Sequence, residues 1–184
     1  MTVTRLHTLG HSNRSLEEFI ALLRSADLRI LVDVRAQPQS SRYPHFGQES
    51  LRDALTAAGI DYHWAGRQLG GHRPARADSR HTALPEDGLR GYADYMDGDL
   101  FKKAAVQLIG LARRAPCVIL CAEREPLDCH RSLIADYLTL QGVEIRHLID
   151  SGDTRPHQLR QEVRRESQQL VYDRHTTAEL PLGD

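Results

Sequence analysis

Lysine is almost missing from this chain. Lys102 and Lys103 are the only two, and every other basic side chain is arginine. Arginine favours planar, bidentate contacts with phosphate and carboxylate, but a codon preference would raise its count everywhere, so only arginines held in a motif carry functional meaning. No apolar run approaches the roughly 20 residues that a membrane helix needs. The N-terminus MTVTRLHTLG has neither the basic start nor the apolar core of a secretory signal, and a cytoplasmic location is expected. Cysteine is scarce too: all three lie between positions 117 and 129. Such a cluster makes no even-numbered disulfide framework, and a chain of this size has no need of one, so free thiols are expected. A formal net charge of −1 counts against a large footprint on duplex nucleic acid. Internal repeats, low-complexity tracts and sustained heptads are absent as well, which excludes solenoids and long coiled coils.

What remains fits one well-buried core, since 184 residues are ample for one domain and short for two. VTRLHTLG reads as a strand and SLEEFIALLRSAD as a helix whose start is marked by a Ser15/Glu18 capping box. RILVDVRA, ESLRDALTAAG and IDYHWAG continue the pattern as strand, helix, strand. Residues 66–90 lack periodicity and hold five arginines, Arg90 included; a loop of that length is either functional or disordered. GYADYM and LFKKAAVQLIGLARRA follow as helices, then CVILCAE, HRSLIADYLTLQG and VEIRHLI as strand, helix, strand. Alternation of this kind predicts a three-layer α/β fold, with a mostly parallel sheet of about five strands and helices on both faces. The domain is expected over residues 1–150. The charged segment 151–184 is read as a partly helical appendage, with the helix in QLRQEVRRESQQLVYD.

Ligands of open α/β sheets bind outside the carboxyl ends of the strands. The residues leaving the predicted strands are Gly10 to Asn13, Arg35 to Arg42, Trp64 to Gly71 and Cys121 to Arg131. Among them Glu123, His130, His11 and Cys129 have the chemistry of proton transfer or nucleophilic attack. Ser12, Asn13, Arg35, Arg42, Gly70, Gly71 and Arg131 suit ligand binding. An arginine at a helix start opposes the macrodipole, so Arg131 is expected to face a carboxylate such as Asp33 or Glu123, or a ligand anion. Cys129 is placed in the first helical turn with Asp128 as its cap. Cys121, Cys129, His130 and His11 are the right atom types for zinc, but no Cys-x-x-Cys spacing supports them. No metal or cofactor is expected.

TLGHSN, LVDVR, the GG of QLGG, GYADYM and CAEREPLDCHRSLIADYL together resemble the signature blocks of the domain-of-unknown-function 488 family, over roughly residues 5–150. The resemblance implies an α/β fold and leaves the activity open. A fainter similarity is to rhodanese-like domains, through Asp33-Val34-Arg35, Cys121 and Arg131-Ser132. Those domains keep about five residues between cysteine and arginine, so that backbone N–H groups close around an anion. Here nine residues intervene, and Glu123, Glu125 and Asp128 lie among them.

Mixed acids and bases fit a ligand with an anionic part and a neutral hydrogen-bonding part. The leading expectation is therefore hydrolase- or transferase-type chemistry on a nucleotide, nucleoside or nucleic-acid base. A thiol enzyme transferring sulfur through Cys121 ranks second, and a non-catalytic nucleic-acid-binding module is the third reading. The expected partner is a small anionic or nucleotide-like ligand; nucleic acid stays open as a partner, and a membrane is not expected.

Overall fold

Apolar runs too short for helices form the strands at the centre of the protein. β4 (Cys117–Cys121) and β2 (Ile30–Asp33) are buried along their whole length, as expected for parallel strands covered on both faces. The computed structural model describes residues 3–86 and 88–175. Its main sheet has the order β3-β2-β4-β1-β5-β6, where β1 is Arg5–Gly10, β3 Asp61–Trp64, β5 Glu144–Asp150 and β6 Asp153–Pro156. The pairs β3/β2, β2/β4, β4/β1 and β1/β5 are parallel, and β6 adds an antiparallel edge.

Alternate strand residues feed two separate cores. Leu9, Leu31, Val118 and Leu120 pack with Phe19 and Leu23 of α1 (Leu16–Ser25) and with Leu51 and Leu55 of α2 (Gln48–Ala57). Leu6, Val32, Cys117 and Ile119 pack on the opposite face, below the helices of the second half of the chain. After the short α3 (Gly66–Leu69) these are α4 (Leu89–Met96), α5 (Asp99–Arg114) and α6 (Arg131–Leu140). The neighbouring strands β1 and β4 therefore send their following helices, α1 and α6, to opposite faces. That divergence opens a topological switch point at the carboxyl ends of β1 and β4.

The loop expected to be functional or disordered is fastened by its own arginines. Arg73 donates to the carbonyls of Gly70 and Arg67 and lies 4.0 Å over the Tyr95 ring. Arg90 donates to the carbonyls of Thr82 and Leu84. The buried Asp94 accepts from Arg76 N and Ser79 Oγ. Two of the five arginines that suggested a binding loop, Arg73 and Arg90, are thus spent on the loop's own carbonyls.

The C-terminal segment corrects an expectation. Where a helix was expected across residues 158–173, the chain forms an antiparallel hairpin of β7 (Val163–Glu166) and β8 (Gln169–Tyr172), turning through Ser167 with φ 54. Tertiary packing overrides the helix-favouring glutamines and arginines: Val163, Leu170 and Tyr172 insert into the core beneath α4 and α6. The last part of the expected appendage, residues 176–184, lies outside the described residues.

A buried polar chain keys this segment to the sheet. Tyr172 donates to Asp136 Oδ2 at 2.9 Å, His157 Nε2 lies 2.8 Å from Asp136 Oδ1, and His157 Nδ1 lies 2.8 Å from His147 Nε2. Thr8 on β1 completes it, with its hydroxyl 2.6 Å from His147 Nδ1. Tyr172→Phe should cost about 1–3 kcal/mol, because it strips a donor from a carboxylate with no solvent to replace it. Urea denaturation measures this, and an unchanged midpoint would show that the hairpin is held by apolar contact alone.

Candidate functional site

The loops after β1 and β4 meet at the switch point. His11 N donates to the Cys121 carbonyl and Ser12 N to that of Ala122, each at 3.0 Å. Gly10 is in such close contact that an added Cβ would lie 1.7 Å from the Glu123 carbonyl oxygen. The chain then leaves β4 through an exposed stretch, passes a 3₁₀ turn at Pro126–Asp128, and returns over the strand end.

That return brings two thiols together. Cys129 Sγ lies 3.0 Å from Cys121 Sγ and donates to it, and both residues are buried. Cys129 is extended, not helical: α6 begins at Arg131 with His130 as the residue before it, which corrects the expected first-turn placement. The N–H of Arg131 donates to Cys129 Sγ at 3.3 Å. The hydrogen bond from Cys129 lowers the Cys121 pKa; burial opposes this, while the N–H of Glu123 and the positive Arg131 assist, leaving it at about 7. Giving that hydrogen bond away, and burial, push Cys129 in the other direction. One thiol is thus poised to ionise near neutrality and its neighbour to remain protonated. Cys117, at the far end of the strand, is raised to about 12 by burial and packs in the core.

Arg131 is completely buried. Among the described residues it has no carboxylate partner, contrary to expectation: Nη2 donates instead to the carbonyls of Glu123 and Arg124, at 2.6 and 2.8 Å. Asp33, the other candidate, is already engaged by Arg35 Nε and Nη2 and by the Tyr62 hydroxyl. Nε and Nη1 of Arg131 are buried with no hydrogen-bond partner among the described residues. An unsatisfied buried cation is costly, and a thiolate at Cys121, which the positive Arg131 favours, would supply compensating charge.

Not all of the expected site residues converge. His130 packs against Tyr92, with ring centroids 4.9 Å apart, and has a buried Nε2 without a partner. Burial lowers its pKa to about 4, although the Val34 and Leu69 carbonyls near the ring offset part of this. Gly71 abuts this imidazole, since a Cβ there would lie 3.0 Å from Nδ1, and Gly70 packs more closely still, a Cβ there lying 2.2 Å from the Gly66 carbonyl oxygen. His11 stacks on Phe46 at 4.3 Å and bonds the Ser12 carbonyl; burial lowers it to about 4. Among the described residues no hydrogen bond or ring contact joins His11 to His130. Glu123 and Asn13 are exposed and Ser12 is a half-buried turn residue with φ 53. Arg35 is locked to Asp33 and the Phe46 carbonyl, and exposed Arg42 lies over Tyr43. Two small cavities of about 10 Å³ each lie beside Tyr137 and Leu170, and none of the expected site residues lines them.

Cys121, Cys129 and His130 each offer a ligand atom, all within 4.8 Å of one another, so a soft metal ion has three potential ligands here. Two thiolates on tetrahedral zinc stand about 3.8 Å apart, given Zn–S bonds of about 2.3 Å. The 3.0 Å sulfur separation would have to widen first, and Arg131 would add a positive charge beside the ion. The pair as it stands is closer to a dithiol than to a metal clamp.

The family described as "Domain of unknown function DUF488" matches residues 15–138. The chain belongs to this family. No curated protein and no solved structure matches it. The DUF488 match is narrower than the expected 5–150 and stops before β5, but it contains all three cysteines, His130 and Arg131. No helix among the described residues is long and apolar enough to cross a membrane. Sequence reading missed Arg14, which is buried and ties the loop after β1 to the end of β5 through the carbonyls of Gly10 and Ile149. It also missed the Asp136–His157–His147 chain. Neither had a local signal, because Ile149 is distant in sequence from Arg14, and Asp136 from His157.

Proposed function

We propose that the protein is a thiol-dependent enzyme in which Cys121 attacks a soft electrophilic centre of a small substrate. The observation that carries this reading is the Cys121–Cys129 pair beside a buried arginine with two unpartnered N–H groups. A thiolate is the nucleophilic form of cysteine, and a guanidinium held in a low-dielectric setting stabilises it before any substrate arrives. The two objections raised by the sequence lose their force. Nine intervening residues do not prevent Arg131 from reaching back to the strand end, and Glu123, Glu125 and Asp128 are all exposed to solvent. The reading needs no kinship with rhodanese-like domains.

A nucleotide or nucleic-acid-base ligand draws less support. Glu123 is solvated, Arg35 is bound to Asp33, and His11 and His130 pack in different surroundings. Native alkylation with iodoacetamide, mapped by mass spectrometry, tests the proposal. Cys121 should react well before Cys117, at a rate that rises through pH about 7. Equal reactivity of the two, or silence at Cys121, would sink it.

A further inference from the structure

We propose that Cys129 is the resolving thiol of a dithiol cycle and that the substrate is a low-molecular-weight disulfide. This rests on the reading of Cys121 as nucleophile and adds its partner, its substrate class and its product.

Three observations converge. The sulfurs are 3.0 Å apart, so a disulfide bond of about 2.05 Å needs only about 1 Å of closure, within reach of side-chain rotation. The loop between them is already folded for ring closure: Asp128 N bonds the Glu125 carbonyl, Cys129 N bonds that of Pro126, and Arg131 clamps the carbonyls of Glu123 and Arg124. The pair is also asymmetric in its setting, because the Arg131 N–H bonds Cys129 Sγ at 3.3 Å while Cys121 ends β4. Each cysteine keeps 6% of its exposure, so a small disulfide suits the site better than one held in the surface of a folded protein.

The chemistry balances without a metal or an external oxidant other than the substrate. The Cys121 thiolate attacks one sulfur of R–S–S–R, forming Cys121–S–S–R and releasing RS⁻. The Cys129 thiol loses its proton and attacks Cys121 Sγ, expelling the second RS⁻. That proton ends on the departing thiolate, with a ring nitrogen of His130, within 4.8 Å of both sulfurs, available to relay it. The substrate disulfide is reduced to two thiols, and the two cysteines are oxidised to a disulfide. An external thiol must then reduce that bond. Oxidation removes the thiolate that compensates Arg131, so the reduced form is favoured and the disulfide is a labile, turnover bond.

The test uses hydroxyethyl disulfide as probe on the full chain, followed by peptide mapping without reduction. Wild type should lose two hydrogens, carry no adduct and yield a Cys121–Cys129 crosslinked peptide. Cys129→Ser should stop at a hydroxyethyl mixed disulfide on Cys121, and Cys121→Ser should do neither. A stable mixed disulfide on Cys121 in wild type overturns the resolving role while leaving the nucleophile intact. No modification of Cys121 in any protein overturns both, and an adduct on Cys129 in place of Cys121 reverses the roles and overturns the inference. The wild-type result stands by itself should Cys129→Ser fail to fold.

Discussion

Replacing Arg131 with alanine should destabilise the protein by about 3–5 kcal/mol and raise the pH at which Cys121 ionises. The stability loss has two sources: the cavity left by a fully buried long side chain, and the carbonyls of Glu123 and Arg124 stripped of their donors. The charge loss acts separately on the thiol. Arg131→Met distinguishes the two, because it restores volume without charge. Methionine fills the cavity but supplies no donor, so the variant should recover the cavity part of the loss and stay about 1–3 kcal/mol below wild type for the unpaired carbonyls. Its Cys121 alkylation midpoint should still move from about 7 towards the ordinary thiol range. Stability should follow. A thiol whose folded pKa is depressed contributes stability that is fully present above its unfolded value and is lost as pH falls through about 7, so wild type should gain stability from pH 7 to about 8, before the raised Cys117 and Cys129 act in the opposite sense near the unfolded thiol value. That slope should flatten in Arg131→Met. A methionine variant with an unshifted alkylation midpoint would show that Arg131 serves only the loop.

Gly10→Ala should cost about 3 kcal/mol or more, because a Cβ 1.7 Å from the Glu123 carbonyl overlaps rigid backbone that cannot rotate away. Two elements must separate to admit the methyl: the end of β1 and the segment that supplies acceptors to Arg131. The thiols should therefore feel a substitution made on a different strand. Chemical denaturation would give the stability loss, and alkylation should find Cys121 and Cys129 less unequal than in wild type. A variant of normal stability would mean that the loops after β1 and β4 are not held together as tightly as this contact requires.

Much of the architecture was legible from periodicity alone. The runs ILVD and CVILC are apolar at every position because both faces of a central parallel strand are covered, and SLEEFIALLRS declares its start through the Ser15/Glu18 box, which forms as expected. The hairpin at the C-terminus was not legible. QEVRRESQQLVYD is rich in helix-favouring side chains, and only the burial of Val163, Leu170 and Tyr172 against distant helices makes it extended.

The same division runs through the site. By its residues and their spacing, the chain determined that Cys121, Cys129, His130 and Arg131 lie around the end of a strand and the start of the next helix, since both elements are local. Tertiary structure decided which of them act together. Strand order placed the loop after β1 against the loop after β4 and put α1 and α6 on opposite faces. Burial then sorted the charges: Arg35 took Asp33, the acids of the 123–128 loop went to solvent, and Arg131 was left with two unsatisfied donors near two thiols. Sequence spacing cannot express that outcome, because desolvation and Coulomb interaction depend on distance and exposure in space, and the partners that set them come from distant parts of the chain.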